Sequence, residues 1–377
     1  MKIGLVSPYD LAYPGGVTNH ITQLAKQFHD WGHDVKVIGP TSNPKETITR
    51  DYYIPMGRTV PFPSGGSLAR ISLSFWLEPK IKSLLKKERF DVIHIHEPFS
   101  SFLPLCVLFL SKTINVGTFH AFRDSPRLYG ISKFLLTRWF KKLDGRIAVS
   151  KPAMQFVGRH FPGDYHIIPN GIDIDHFSKG IKPIDKWNDG KINILFVGRL
   201  EKRKGLKYLI SAFGDLKWNH SNLRLIVVGP GNLDEESQRI VSARKIEDIV
   251  IQGSVSHSDL PRYYNSADIF CAPNTGRESF GIILGEAMAA TKPIVASGIE
   301  GFKSVITDGQ EGILVKPKDS NQLAKALATL IDNPELRHRM GANGRQRVEE
   351  FRWEKVAGEV LTYYKDLLKF KVDKSES

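Results

Sequence analysis

At 377 residues the chain exceeds the usual size of one hydrophobic core, so two domains are expected. Hydrophobic residues at 41% and charged residues at 25% are ordinary globular values, which excludes general disorder and leaves only residues 374–377 to read as a frayed tail. The net charge of +13 points to acidic partners such as phosphates, anionic headgroups or nucleic acid, while two cysteines without paired spacing exclude a disulfide framework or a cysteine zinc site and fit a reducing cytosol.

The first apolar run, residues 2–7, reads as a strand with no signal-peptide pattern before it. Val17, Ile21, Leu24, Ala25 and Phe28 then recur along one face of an amphipathic helix. Further strand runs fall at residues 35–39, 92–95, 115–119, 146–149 and 166–168. The most apolar stretch, residues 102–110, is nine residues long. A spanning helix needs roughly 20, so this stretch reads as a buried element.

Pro169-Asn170-Gly171 is a turn signal, after which the pattern restarts. Strands at 192–197, 223–228, 249–252, 269–272 and 293–296 alternate with helices at 206–216, 235–245, 259–265 and 281–290. Strand and helix in alternation predict the α/β class: two doubly wound parallel-sheet domains, residues 1–170 and 171–350, with strand carboxyl ends lining an interdomain cleft. Residues 351–377 supply a last amphipathic helix, expected to cross back to the first domain.

Four constellations carry chemistry. Gly15-Gly16 precedes the first helix, where backbone N–H groups can approach an anion or simply make a surface turn. The Gly-x-Gly-x-x-Gly spacing is absent and no acidic residue closes the second strand, so a nicotinamide dehydrogenase is disfavoured. Arg199 and Lys204 stand five positions apart at a strand's carboxyl end, suiting a diphosphate, although Glu201, Lys202 and Arg203 between them also fit a solvated charge run. Glu278 and Glu286 bracket the start of the helix that follows Phe280, Gly281 and Ile282. Free N–H groups there and two carboxylates suit a polyol, while a helix cap explains only one of the two. His120 directly follows a strand, and His94 and His96 share one face of its neighbour; without a further ligand cluster, no metal site is expected.

Residues 79–89 hold Lys80, Lys82, Lys86, Lys87 and Arg89 against Glu88, beside a narrow stripe of Ile81, Leu84 and Leu85. A basic amphipathic helix of this kind either rests on anionic lipid or packs on the core with a solvated face.

In this order, Gly15-Gly16, His96-Glu97-Pro98, Thr118-Phe119-His120, Pro169-Asn170-Gly171, Gly198-Arg199 with Lys204, and the Glu278-to-Glu286 motif resemble glycosyltransferase family 4, a large retaining family with the two-domain, Rossmann-like GT-B fold. The opening through Pro14-Gly-Gly-Val17, with His94-Ile-His-Glu-Pro98 and Arg146-Ile-Ala-Val-Ser150, looks closest to its phosphatidylinositol-mannosylating branch. The resemblance implies a hexose, mannose from GDP-mannose, moved to an anionic phospholipid at the cytoplasmic face of the membrane. No cofactor, essential magnesium, nucleic acid or obligate protein partner is implied. Arg199 and Lys204 would neutralise the diphosphate, Gly16 would contact it through backbone, and Glu286 would bind ribose. Glu278 and the Phe280–Gly281–Ile282 backbone would hold the hexose, with His120 near its reacting carbon and Val255 near the base. Tyr9 and Asp10 fall to the acceptor, and the cations of residues 80–89 to the membrane.

The chain departs from that branch at Ala121-Phe122-Arg123-Asp124, at Arg277 and at Gly285. A transferase using UDP-glucose, UDP-galactose or UDP-N-acetylglucosamine on another lipid or glycan is the alternative. A nucleic-acid-binding protein lacks any supporting signature, and an inactive sugar-binding protein would not need Glu278, Glu286, Arg199, Lys204 and His120 together.

Overall fold

Near-continuous apolar runs predict strands covered on both faces, and both units are built on such strands. The computed structural model describes residues 1–13, 15–43, 52–64, 67–72, 74–120, 136–178 and 180–376. Pro14 and residues 121–124 therefore lie outside the described residues. The chain divides into one unit of Met1–Gly171 with Trp353–Ser377 and a second of Ile172–Arg352.

The first unit holds β1 (Lys2–Val6), α1 (Gly16–Asp30), β2 (Asp34–Gly39), β3 (Tyr53–Pro55), the hairpin β4 (Val60–Ser64) and β5 (Ser67–Ile71), α2 (Glu78–Glu88), β6 (Val92–His96), α3 (Phe102–Leu110), β7 (Ile114–Phe119), β8 (Gly145–Ala148), α4 (Lys151–Gly158) and β9 (His166–Ile167). Among the described residues, seven strands pair in parallel in the order β3-β2-β1-β6-β7-β8-β9. The chain winds one way from β1 and then restarts on its other side at β6, which puts a topological switch point between β1 and β6. Ile21, Leu24, Ala25 and Phe28 of α1 are all buried, as their periodicity requires.

In α2, Ile81 is fully buried, while Lys80, Lys82, Lys86 and Lys87, with Arg89 just past the helix end, are exposed. Glu88 is turned aside to Lys2, 2.8 Å away. Helix α3 is the expected buried element along Leu103, Cys106, Val107 and Leu108, while Phe109 is 51% exposed and leaves it one open face. No helix among the described residues is long and apolar enough to cross a membrane.

The second unit holds α5 (Ile174–Ser178), β10 (Ile192–Val197), α6 (Leu206–Asn219), β11 (Leu223–Val228), α7 (Glu235–Ala243), β12 (Ile249–Gly253), α8 (Leu260–Ser266), β13 (Ile269–Ala272), α9 (Ile282–Ala289), β14 (Ile294–Ser297), α10 (Glu300–Lys303), β15 (Gly312–Val315), α11 (Ser320–Asp332) and α12 (Pro334–Arg347). Its six described strands are parallel in the order β12-β11-β10-β13-β14-β15, with the switch point between β10 and β13.

The last helix, α13 (Trp353–Glu376), belongs to the first unit. It is helical through residues 374–376, where the composition suggests a frayed tail, and Ser377 lies outside the described residues. Val356, Ala357, Val360 and Tyr364 enter the core shared with β1 and α1. A side chain on Gly171 would lie 2.3 Å from the Trp353 ring, so the glycine of the Pro-Asn-Gly turn is required by close packing. The Tyr364 hydroxyl is 2.5 Å from His94 Nδ1. Tyr364→Phe removes one partner of this buried pair and should destabilise the chain by about 1–3 kcal/mol, read as a lower denaturant midpoint at unchanged slope.

Candidate active site

The site residues of the second unit come from the loops after β10 and β13, on either side of its switch point. After β10 the chain passes Gly198 and Arg199, makes a 3-10 turn over Lys202–Lys204, and enters α6 through Gly205. Gly205 has φ 73°, and a Cβ there would lie 2.0 Å from the Pro273 carbonyl oxygen, so only glycine lets the two loops touch. The Thr275 N–H donates to the Arg203 carbonyl at 2.8 Å, tying them together.

That contact brings three donors to one carboxylate oxygen. Lys204 Nζ lies 2.5 Å, Arg203 Nη1 2.6 Å and Asn274 Nδ2 2.9 Å from Glu278 Oε1. Arg203 Nε also donates to Glu201 at 2.8 Å, and Arg199, half exposed, reaches Glu201 at 4.0 Å. Lys204 and Glu278 thus hold each other directly, whereas Arg199 joins them only through Glu201 and Arg203. Arg203 and Asn274 are the two residues of this loop pair that sequence reasoning missed. Arg203's signal is its place beside Lys204 at the helix mouth, masked because runs of charge are usually solvated.

Gly281, at φ 104°, opens α9. Phe280 is buried against Phe351, so this position can offer a ligand only its backbone. Glu286 is half-buried in α9, and its Oε2 accepts a 2.7 Å hydrogen bond from the fully buried Tyr264 hydroxyl. Its Oε1 has no hydrogen-bond partner among the described residues. Burial raises the Glu286 pKa, opposed by the Tyr264 bond and the nearby His176. A side chain on Gly285 would meet Ile172 Cδ1 at 2.6 Å, which explains the glycine at that departure from the family pattern. Val255, half-buried, follows β12. Asp173 caps the His176 N–H at 3.2 Å, as a turn residue would.

In the first unit, Tyr9 and Asp10 follow β1. Asp10 is buried; its Oδ1 accepts from the Ala12 and Ser42 N–H groups at 3.0 Å each, while Oδ2 has no hydrogen-bond partner among the described residues. Gly16 begins α1, a helix of 15 residues. Gly15 is extended, and a Cβ there would come no closer than 3.8 Å to anything, so its conformation does not demand glycine.

At the ends of β6 and β7 four imidazoles gather. His94 stacks on His96 at 4.2 Å, His96 on His120 at 5.3 Å, and His20 of α1 meets His120 edge-on at 4.9 Å. His96 Nδ1 is 3.0 Å from His120 Nε2, His20 Nδ1 is 3.0 Å from Asn170 Oδ1, and Glu97 Oε1 accepts the His120 N–H at 2.6 Å. Burial first, then the neighbouring imidazoles, lowers the His94 pKa to about 3 and holds His96 and His120 well below the ordinary value; burial, opposed by the Asn170 hydrogen bond, takes His20 to about 4. All four are therefore neutral at pH 7, and His120 acts as a hydrogen-bonding group, not a cation.

The expectation of no further ligand cluster needs correcting. His20, His96 and His120 each offer a ligand nitrogen within 4.8 Å of the others and could hold a metal ion. His94 is instead committed to Tyr364 and to Thr118 Oγ1, at 2.5 Å each. His20 sits among the buried apolar residues of α1, whose periodicity gives no sign of a ligand.

A family model described as Glycosyl transferases group 1 matches residues 178–347, and one described as Glycosyltransferase Family 4 matches residues 14–176. The phosphatidyl-myo-inositol mannosyltransferase of Mycobacterium leprae is 36% identical over 97% of this chain and 96% of its own. The alpha-monoglucosyldiacylglycerol synthase of Acholeplasma laidlawii is 28% identical over 98% of each. A solved glycosyltransferase from Rickettsia africae matches with TM-score 0.81 at 20% identity, covering 98% of each chain, and so shares the fold. With two parallel-sheet units and whole-length identity of this order, the chain belongs to glycosyltransferase family 4 and is a glycosyltransferase of the GT-B fold.

Proposed function

We propose that this glycosyltransferase moves mannose from GDP-mannose, with retention at the anomeric carbon, onto a phosphatidylinositol-type lipid, working as a peripheral protein at the cytoplasmic membrane face. The observation that carries this reading is the 36% identity, across 97% of the chain, to a phosphatidyl-myo-inositol mannosyltransferase.

The charges of the second unit support it. Cleaving a sugar–phosphate bond puts negative charge on the diphosphate, and preordered cations stabilise that charge best. Lys204 and Arg199, with Arg203 behind them, are assigned that task. Glu278 and the backbone of Phe280, Gly281 and Ile282 are assigned the hexose, Glu286 Oε1 the ribose, and Val255 the base. In the first unit, Gly16 is assigned backbone contact with the diphosphate, His120 the hexose, and Tyr9 and Asp10 the acceptor. Fixed cations make magnesium dispensable in this scheme, so transfer should survive EDTA.

GDP at about 100 times its dissociation constant should stabilise the chain by about 2.7 kcal/mol, seen as a raised melting temperature, with UDP giving little. Radiolabel from GDP-mannose should then enter phosphatidylinositol. The similarity to a glucosyldiacylglycerol synthase supports a second reading, a UDP-glucose donor. Stabilisation by UDP alone, with no mannose transfer, would replace the first reading with the second.

A further inference from the structure

A cavity of about 640 Å³ opens in the first unit between α2 and α3, at the amino-terminal ends of β6 and β7. Lys82, Lys86, Arg89 and Lys112 line it. Lys82, Leu85 and Lys86 stand at i, i+3 and i+4 and so share one face of α2, and Arg89 follows as the C-cap residue of that helix. None of the four side chains has a hydrogen-bond or ion-pair partner among the described residues, and the nearby Glu88 is occupied by Lys2. The positive field is therefore uncompensated. The other wall is apolar: Leu85, Phe90, Phe109 and Leu110, with Phe109 half exposed.

Four cations alone would suit any phosphate. An inorganic anion, however, would leave the apolar wall wet, whereas burying hydrocarbon there contributes about 0.8 kcal/mol per methylene. The volume lies within the range usual for small-molecule sites, roughly 300–1,000 Å³. The cavity stands away from His120: Thr113, which lines it, is seven residues from His120 along β7, about 23 Å at strand rise.

We propose that this cavity binds one anionic glycerophospholipid, its phosphate among Lys82, Lys86, Arg89 and Lys112 and one acyl chain against the apolar wall. It is an anchoring site, separate from the position where an acceptor hydroxyl reacts. It rests on the membrane-surface reading above and divides the cations of α2, because Lys80 and Lys87 do not line the cavity.

The test uses the full chain and a monomeric short-chain lipid, dihexanoylphosphatidic acid, below its micelle concentration, followed by titration calorimetry. Saturable binding of one lipid per chain is expected, with dihexanoylphosphatidylcholine and inorganic phosphate each about tenfold weaker or worse. Lys112→Glu, which reverses a lining charge, and Leu110→Trp, which fills the cavity, should each weaken binding about tenfold or more, whereas Lys80→Gln with Lys87→Gln, which neutralises cations that do not line the cavity, should weaken it by less than about threefold. Circular dichroism melts confirm that each variant folds. Inorganic phosphate binding as tightly as the lipid, no saturable binding, or indifference to Leu110→Trp and Lys112→Glu would each overturn the proposal. Lipid binding without transfer to phosphatidylinositol defeats the functional reading alone; transfer without monomer binding defeats this inference alone.

Discussion

Replacing Lys204 by alanine is expected to lower kcat/KM about 10²–10³-fold, the loss measured when one preorganised transition-state donor is removed. Lys204 is one of three donors on Glu278 Oε1, so Arg203 and Asn274 still satisfy that carboxylate when the lysine is gone. The fold should therefore survive, with a melting temperature close to the parent's. Arg199 has a different environment: half exposed, 4.0 Å from Glu201, and free to swing toward a bound anion. Arg199→Ala should therefore also slow turnover while leaving the isolated protein's stability unchanged. Steady-state kinetics with a saturating acceptor distinguishes the two ways the loss can arise. If the cations act on developing charge, kcat falls with kcat/KM; if they only bind ground-state diphosphate, KM rises alone. Full activity in both variants would remove the diphosphate assignment.

How much of this was legible depends on how local the signal is. The central strands of both sheets stand out because a parallel strand covered on both faces must be largely apolar, as Leu223–Val228 and Ile192–Val197 are apart from Arg224 and Asn193, which hydrogen-bond each other. The hairpin β4–β5 escapes because Val-Pro-Phe-Pro-Ser carries two prolines, which argue against a strand unless it is short and at an edge. β15 is four residues of Gly-Ile-Leu-Val, too short for periodicity to show. At the site, Lys204, Glu278 and Glu286 are legible because each stands at a fixed offset from a strand end or helix start. Their partners are not. Asn274, Tyr264 and His20 earn their places only when separate loops and helices meet across a sheet, and nothing in the local pattern announces that approach. Phe109 fails for the opposite reason: hydropathy marks it as core, while the packing of α3 turns it outward, where it helps wall the cavity.

Acidification should destabilise the chain steeply before its carboxylates are involved. His20 and His94 are buried and neutral, with pKa values of about 4 and about 3 in the folded chain. In the unfolded chain they return to about 6.5. Between those limits the unfolded state binds more protons, so stability is complete above about pH 6.5 and falls with pH until the folded-state values are reached. Each buried imidazole removes about 1.4 kcal/mol per pH unit, so these two alone remove roughly 5 kcal/mol between pH 6.5 and 4.5. His96 and His120 are shifted in the same direction and steepen the fall. Glu349 is held down to about 2 by Arg352 and Arg345, so its contribution is lost mainly below this window. Glu286, with its raised pKa, acts with the opposite sign and offsets a little of the loss. Denaturant unfolding at pH 7.5, 6.5, 5.5 and 4.5 measures the slope, and His20→Gln should make it shallower by about 1.4 kcal/mol per pH unit even if that variant is weaker at every pH. Equal stabilities at pH 6.5 and 4.5, or a slope that His20→Gln leaves untouched, would mean that these rings are hydrated and titrate freely, and a His120 so exposed could no longer be counted on to stay neutral beside a sugar.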